Sequence, residues 1–359
     1  MIINFLIIIQ EFIMKNVLVE DFKQLAERNI PWEELRGKTF LITGATGLIG
    51  SLLVRFLLYA NETIGLNAKV YAVVRNPEKA DKIFADNKTN ALSYVVADLE
   101  KDEVTCTGTC DYIIHAAAVT ASKIMVSDPV RTIRTAIDGT EKMLQFAVEK
   151  KVSAFVYISS MEIYGQPKTE GKTTEKDLGY VDIESVRSCY PEGKRMCECL
   201  CTAYASQYDV NVISARLAQT FGAGILPTEN RVFAQFARSA MKGQNIVLHT
   251  TGESEGNYVY TTDAIAAILM LLVKGKAGEA YNIANEESHI TIRNMAQLVA
   301  DEIADGKIQV VIDIPENSAA LGYAPSVKMQ LDASKMCELG WNPEVGLADA
   351  YKRMIYWME

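Results

Sequence analysis

The chain has 359 residues, enough for about two domains of roughly 150 residues or one large α/β domain with a lobe. Apolar residues make up 49% and charged residues 23%, a balance that excludes a disordered or collagen-like chain. A net charge of −9 argues against nucleic acid as a partner, so an anionic ligand must be held locally.

Met1 to Ile9 are strongly apolar but too few to span a bilayer, and they lack a basic n-region and a cleavage site. The expectation is that Met14-Lys15 is the natural start and that there is no membrane anchor. Asp21 to Arg28 read as a short amphipathic helix that Pro31 ends. From Lys38 apolar runs alternate with helical stretches. Thr39–Thr43 is a predicted strand, Gly47–Tyr59 a helix and Lys69–Val74 a strand. Strands follow at Ser93–Ala97 and Tyr112–Ala117, then a helix from about Val130 to Lys150. Ala154–Ser159 is the next strand, Tyr190–Tyr208 a helix and Val212–Leu217 a strand. Continuous runs such as Phe155-Val156-Tyr157-Ile158 suit strands buried on both faces. The alternation predicts a doubly wound parallel sheet. Beyond Leu217 the pattern turns irregular around an apolar helix, Asp263–Val273, and predicts a smaller lobe over the C-terminal edge of the sheet.

Thr43-Gly44-Ala45-Thr46-Gly47-Leu48-Ile49-Gly50 follows the first strand and opens a helix. Glycines there permit a tight turn and let backbone N–H groups approach a pyrophosphate at the positive helix end. The expected contacts are Gly44, Thr46, Gly47, Leu48, Ile49 and Gly50. After the second strand stands Arg75, which suits a 2′-phosphate and tilts NAD(P) towards NADP, although an arginine can also stack on adenine. Asp98-Leu99, ending the third strand, could meet the adenine amino group. Tyr190 and Lys194 share a helix face at i and i+4, where an ammonium favours a phenolate base. Ser159-Ser160 ends a buried strand, where a hydroxyl could hold a substrate oxygen.

Seven cysteines, an odd number, read as reduced cytoplasmic thiols. No metal site is expected. Cys199 points away from Cys197 and Cys201 on the predicted helix, and His115, His249 and His289 lie far apart in sequence. Tyr258 and Tyr260 are expected on opposite faces of a strand, and Trp341 as a packing anchor.

From Lys38 to the C-terminus the chain resembles the extended short-chain dehydrogenase/reductase family, the NAD-dependent epimerases and dehydratases. The motifs T-G-x-x-G-x-x-G, D-L, H-x-A-A, S-S-x-E-x-Y-G and Y-x-x-x-K occur in order. Arg187-Ser-Cys-Tyr-Pro-Glu-Gly-Lys-Arg-Met-Cys-Glu198 looks most like UDP-glucuronate decarboxylases. The resemblance implies a Rossmann domain over 37–217, with 258–284 returning to it. Residues 218–257 and 285–359 would form the substrate lobe, and 1–36 a leader and helix. It implies that Ala116 and Ala117 line the cofactor and that a nucleotide sugar is the substrate, oxidised at C4. Tyr190 would take the 4-hydroxyl proton, Lys194 would lower the tyrosine pKa and hold the nicotinamide ribose, and Ser160 would bond the 4-oxygen.

Family dehydratases carry adjacent Asp and Glu after this serine, whereas Met161-Glu162 stands here, the pattern of the decarboxylases. The chain departs elsewhere. Gly256 replaces an arginine that grips diphosphate and sugar carboxylate, Ala136 an asparagine, and Gln219 a second asparagine, while Arg231 matches a diphosphate arginine. The expected activity is decarboxylation or epimerisation with recycled cofactor. An NADP-consuming reductase and a decayed cofactor-binding regulator are the alternatives. A cytoplasmic homodimer, formed by helices near Asp138–Lys151 and Tyr190–Tyr208, completes the expectation.

Overall fold

The computed structural model describes residues 17–87, 89–168, 171–314 and 327–359. The apolar Met1–Ile9 stretch and the start at Met14 lie outside them. In chain order the strands are β1 (Thr39–Thr43), β2 (Lys69–Val74), β3 (Leu92–Val96), β4 (Tyr112–His115), β5 (Ala154–Ser160) and β6 (Val212–Leu217). The chain then runs through β7 (Gln219–Phe221), β8 (Ile246–Leu248) and β9 (Glu255–Tyr260) before β10 (Ala280–Ile283). The strands β11 (Asn285–Thr291) and β12 (Val310–Ile312) come last.

Seven of these strands form one sheet in the order β3-β2-β1-β4-β5-β6-β10. Every pairing in it is parallel. The doubly wound parallel sheet is therefore present, with a late strand, β10, as its seventh member. Alternation along each strand feeds two cores, because strand side chains project with a period of two. Phe40, Ile42, Val156 and Ile158 face the core under helices Leu48–Thr63 and Thr261–Lys274. Leu41, Phe155 and Tyr157 face the core under helices Pro129–Lys150 and Cys189–Tyr208. Each buried Leu, Ile or Phe side chain contributes about 1.5–3 kcal/mol. Burial on both faces is why these strands read as unbroken apolar runs.

The later region is more regular than its sequence pattern. β11, β9 and β7 make a three-stranded sheet, and β8 pairs with β12. They pack with helices Val232–Met241 and Leu347–Met358 around Phe221, Phe233, Tyr258 and Tyr351. The expected split of Tyr258 and Tyr260 is corrected here: residues two apart on a strand share a face, and both are buried in this core. Trp341 is buried and donates to the Asp263 carbonyl at 3.0 Å, so it anchors packing. The N-terminal helix, residues 17–26, buries Leu18, Phe22 and Leu25 on one face. Its buried Asp21 accepts from Tyr260 at 2.5 Å and pairs with Arg353 of the last helix.

Strand order reverses between β1 and β4, so their C-terminal ends open a crevice, the place where such sheets take ligands. Among the described residues no helix is long and apolar enough to cross a membrane.

Candidate active site

The turn after β1 is tight for a reason visible in its backbone. Gly44 has φ +64°, and a Cβ there would lie 2.7 Å from the Ala116 carbonyl group and 2.8 Å from Ala117 N. A Cβ on Gly50 would lie 2.3 Å from Gly44 O. Both glycines are therefore demanded by the protein's own packing. Gly47 differs: its Cβ would meet only Gly44 O, at 3.2 Å. It opens helix Leu48–Thr63, whose first N–H groups receive no side-chain cap. Ala116 and Ala117 close the other side, and Ala117 N donates to Thr43 Oγ1 at 3.2 Å.

Beneath the turn, Thr43 Oγ1 bonds His115 Nδ1 at 2.7 Å, and His115 Nε2 bonds Thr140 Oγ1 at 3.2 Å. Burial, with Lys194 adding to it, pushes the His115 pKa down to about 3, so the ring is neutral at pH 7. A neutral imidazole joins β1, β4 and helix Pro129–Lys150 without leaving a buried charge.

At the end of β5 the sequence-predicted residues come together. Ser160 Oγ accepts from the Glu162 N–H at 3.2 Å, and its hydroxyl is near enough to Tyr190 to favour the phenolate. Lys194 is buried; its Nζ lies 5.9 Å from the Tyr190 ring centroid and donates to Ile158 O at 2.7 Å. Burial holds the Lys194 pKa down to about 8. Burial pushes Tyr190 up to about 12, with Glu162 adding to the rise; Ser160, Arg187 and Arg231 oppose it. At Tyr190 desolvation outweighs the nearby positive charge of the protein.

Arg187 is the residue that sequence reasoning left without a role. Its Nη2 donates to both Glu162 carboxylate oxygens, at 3.0 and 2.8 Å, and its guanidinium lies 5.5 Å from the Tyr190 ring centroid. The available signal was its position three residues before Tyr190, a spacing that shares a helical face. Ser160, Glu162, Arg187, Tyr190 and Lys194 can hold a hydroxyl oxygen, move a proton and balance a negative charge.

Arg75 is exposed after β2, and its charge, with that of Arg131, acts on Glu100. Asp98 accepts from Glu100 N at 3.2 Å, and Leu99 is buried beside Gly139. Gln219 lies on β7 opposite Tyr258. Arg231 pairs with Glu229 at 2.7 Å. Ala136 faces Gly193, next to Lys194, with a Cβ separation of 3.6 Å for an added methyl. Among the described residues no His, Cys, Asp or Glu group could hold a metal ion. Cys197 and Cys201 are buried and Cys199 is exposed, as the helical alternation predicts.

A parallel sheet reversing at β1 and β4, with a glycine turn at the reversal, defines a Rossmann-type α/β protein. The model of the NAD dependent epimerase/dehydratase family matches residues 40–284, and the chain belongs to that family. UDP-glucuronic acid decarboxylase 6 of Arabidopsis thaliana is 30% identical over 322 residues, covering 88% of this chain and 87% of that protein. The UDP-glucose 4-epimerase of Thermotoga maritima, solved with UDP-glucose, superposes with a TM-score of 0.73 at 23% identity, over 89% of this chain and 98% of that one. The UDP-glucuronic acid 4-epimerase of Bacillus cereus, solved with UDP-glucuronic acid and NAD, gives 0.72 at 18% identity, over 89% and 98%. These two structural likenesses carry the fold.

Proposed function

We propose that this chain binds NAD(P) and a nucleotide sugar, oxidises the sugar at C4 and then decarboxylates it, acting on UDP-glucuronate. Epimerisation of the same 4-keto sugar is the alternative outcome. The observation that carries the reading is the convergence of Ser160, Glu162 and Tyr190 at the end of β5, with buried Met161 where dehydration would need an acid. The 30% identity to a UDP-glucuronic acid decarboxylase supports the same choice.

The turn fits a dinucleotide. The N–H groups at the start of Leu48–Thr63 have no side-chain cap, and the bare Gly47 leaves space for a pyrophosphate to approach. When bound, the nicotinamide would supply the acceptor, and later the donor, of hydride at C4. Tyr190 takes the 4-hydroxyl proton while Ser160 bonds the 4-oxygen. Lys194 holds the nicotinamide ribose. Once C4 is a ketone, the carboxylate on C5 is that of a β-keto acid. Its C5–C6 bond breaks, carbon dioxide leaves and the electron pair enters an enolate. Glu162, beside Ser160, handles the proton that C5 then gains. Arg231 and Gln219 are proposed for the nucleotide and sugar, and Arg75 for a 2′-phosphate.

Helices Pro129–Lys150 and Cys189–Tyr208 pack together and carry exposed Val130, Ile133, Met196 and Tyr208. We propose them as a homodimer face, in a cytoplasmic enzyme. The test of function is a panel of UDP-, dTDP-, CDP- and GDP-sugars analysed by mass spectrometry. Loss of carbon dioxide from UDP-glucuronate, with no net change in nicotinamide absorbance, is expected. Loss of water, or stoichiometric cofactor consumption, would replace the reading with a dehydratase or a reductase.

A further inference from the structure

We propose that Arg187 is the residue that selects a carboxylate-bearing sugar, holding the C6 carboxylate on its second amino group while the first stays on Glu162. The inference rests on the proposed C4 chemistry and adds a specificity determinant to it.

Arg187 presents two faces. Nη2 is occupied by both oxygens of Glu162, whereas Nη1 is covered and finds no partner in the protein. A covered guanidinium nitrogen without an acceptor is costly and needs an explanation. About a third of each side chain of the ion pair is exposed. Its guanidinium lies 5.5 Å from the Tyr190 ring centroid. In a hexuronate, C5 is bonded to both C4 and C6. A 4-hydroxyl on Tyr190 therefore brings the carboxylate within a few ångströms, the reach of Arg187.

The other cations nearby are committed. Lys194, buried on the Ile158 carbonyl, is proposed for the nicotinamide ribose, and Arg231, paired with Glu229, for the nucleotide. No cation enters from β9: Gly256 stands there, a Cβ on it would come 3.3 Å from Met161 Cε, and its neighbour Glu255 is acidic. A planar fork that offers paired N–H groups suits a carboxylate better than a point charge does. Arg187 thus supplies from the helix side the positive charge that β9 lacks.

The test uses holoenzyme carrying Tyr190→Phe, so that ligand is not consumed, titrated calorimetrically with UDP, UDP-glucose and UDP-glucuronate. Preference for UDP-glucuronate over UDP-glucose should be about ten- to a hundred-fold. Adding Arg187→Met together with Glu162→Gln, which removes carboxylate repulsion, should erase that ratio and leave UDP affinity unchanged. Arg187→Lys should retain part of it. A ratio that survives Arg187→Met would overturn the assignment while leaving C4 chemistry standing. A parent protein indifferent to the carboxylate would overturn it too, and the carbon dioxide assay would then decide independently whether the proposed function stands.

Discussion

Lys194 points its ammonium at the carbonyl of Ile158, 2.7 Å away, and leaves the Tyr190 ring centroid 5.9 Å distant. The lysine is thus fixed by the sheet, and burial holds its pKa down to about 8. The folded state therefore binds fewer protons here than the unfolded chain between pH 8 and the ordinary lysine value. Stability contributed by this group rises with pH across that window. In urea unfolding, the difference between wild type and Lys194→Met should drift towards the wild type by about 1–3 kcal/mol from pH 7.5 to 10. A pH-independent difference would mean that the ammonium is not desolvated.

Gly47 and Gly50 should separate binding from folding. Gly47→Val sets its Cβ 3.2 Å from Gly44 O, a tight but not prohibitive contact, so the melting temperature should fall less than in Gly50→Ala. Dinucleotide affinity should fall by about tenfold or more, because the branched side chain blocks backbone approach. Gly50→Ala forces a Cβ to 2.3 Å from Gly44 O and should destabilise the fold itself. Thermal melts beside a dinucleotide titration read both effects. Unchanged affinity in Gly47→Val would remove the cofactor from this turn.

Tyr190 and Glu162 should fail at different steps. Tyr190→Phe should slow cofactor reduction in a single turnover by about 10²–10⁴-fold, since the 4-hydroxyl proton and the C4 hydride leave together. Glu162→Gln should still reduce the cofactor but stall with a keto sugar bound, detectable by mass spectrometry after quenching. Normal turnover in Glu162→Gln would leave reduction or epimerisation as the better account.

Arg75 should discriminate between the two dinucleotides. Its charge acts on the Glu100 carboxylate, which also pairs with Arg131 and accepts a 2.6 Å hydrogen bond from Thr135. Arg75→Ala should weaken NADP about ten- to a hundred-fold and NAD far less, measured by fluorescence titration. Equal losses would indicate stacking on adenine.

Sedimentation at micromolar concentration should give twice the chain mass if Met196 and Tyr208 lie at a homodimer face. Met196→Glu should then shift the equilibrium towards monomer. A single chain mass for the wild type at that concentration would reject the dimer.

The sheet was legible because its strands are buried on both faces, so Phe155-Val156-Tyr157-Ile158 carries its own signal. Helix ends fell within a few residues of their expected places, as at Leu48–Thr63, where the expected end was Tyr59. The lobe was expected, but its strands were not legible. β7, β8 and β12 have three residues each, too short for periodicity to register, and they pair with strands far away in the chain. Ser160, Tyr190 and Lys194 were legible through spacing and order. The tie between Glu162 and Arg187 spans 25 residues and a turn, and no local pattern reveals it.

Asp21 binds Arg353 across 332 positions of sequence, and through Tyr260 it also touches the middle of the chain. During synthesis most of the sheet can assemble while the last helix is still inside the ribosome, but this clasp cannot. Until it closes, Asp21 is a carboxylate whose cationic partner has yet to emerge, and the first helix is held by Leu18, Phe22 and Leu25 alone. Closing it last makes the attachment of the N-terminal helix report that synthesis has reached the other end. A nascent chain stopped before Arg353 should therefore leave the residue 17–26 helix more open to protease than it is in the chain that has closed the clasp.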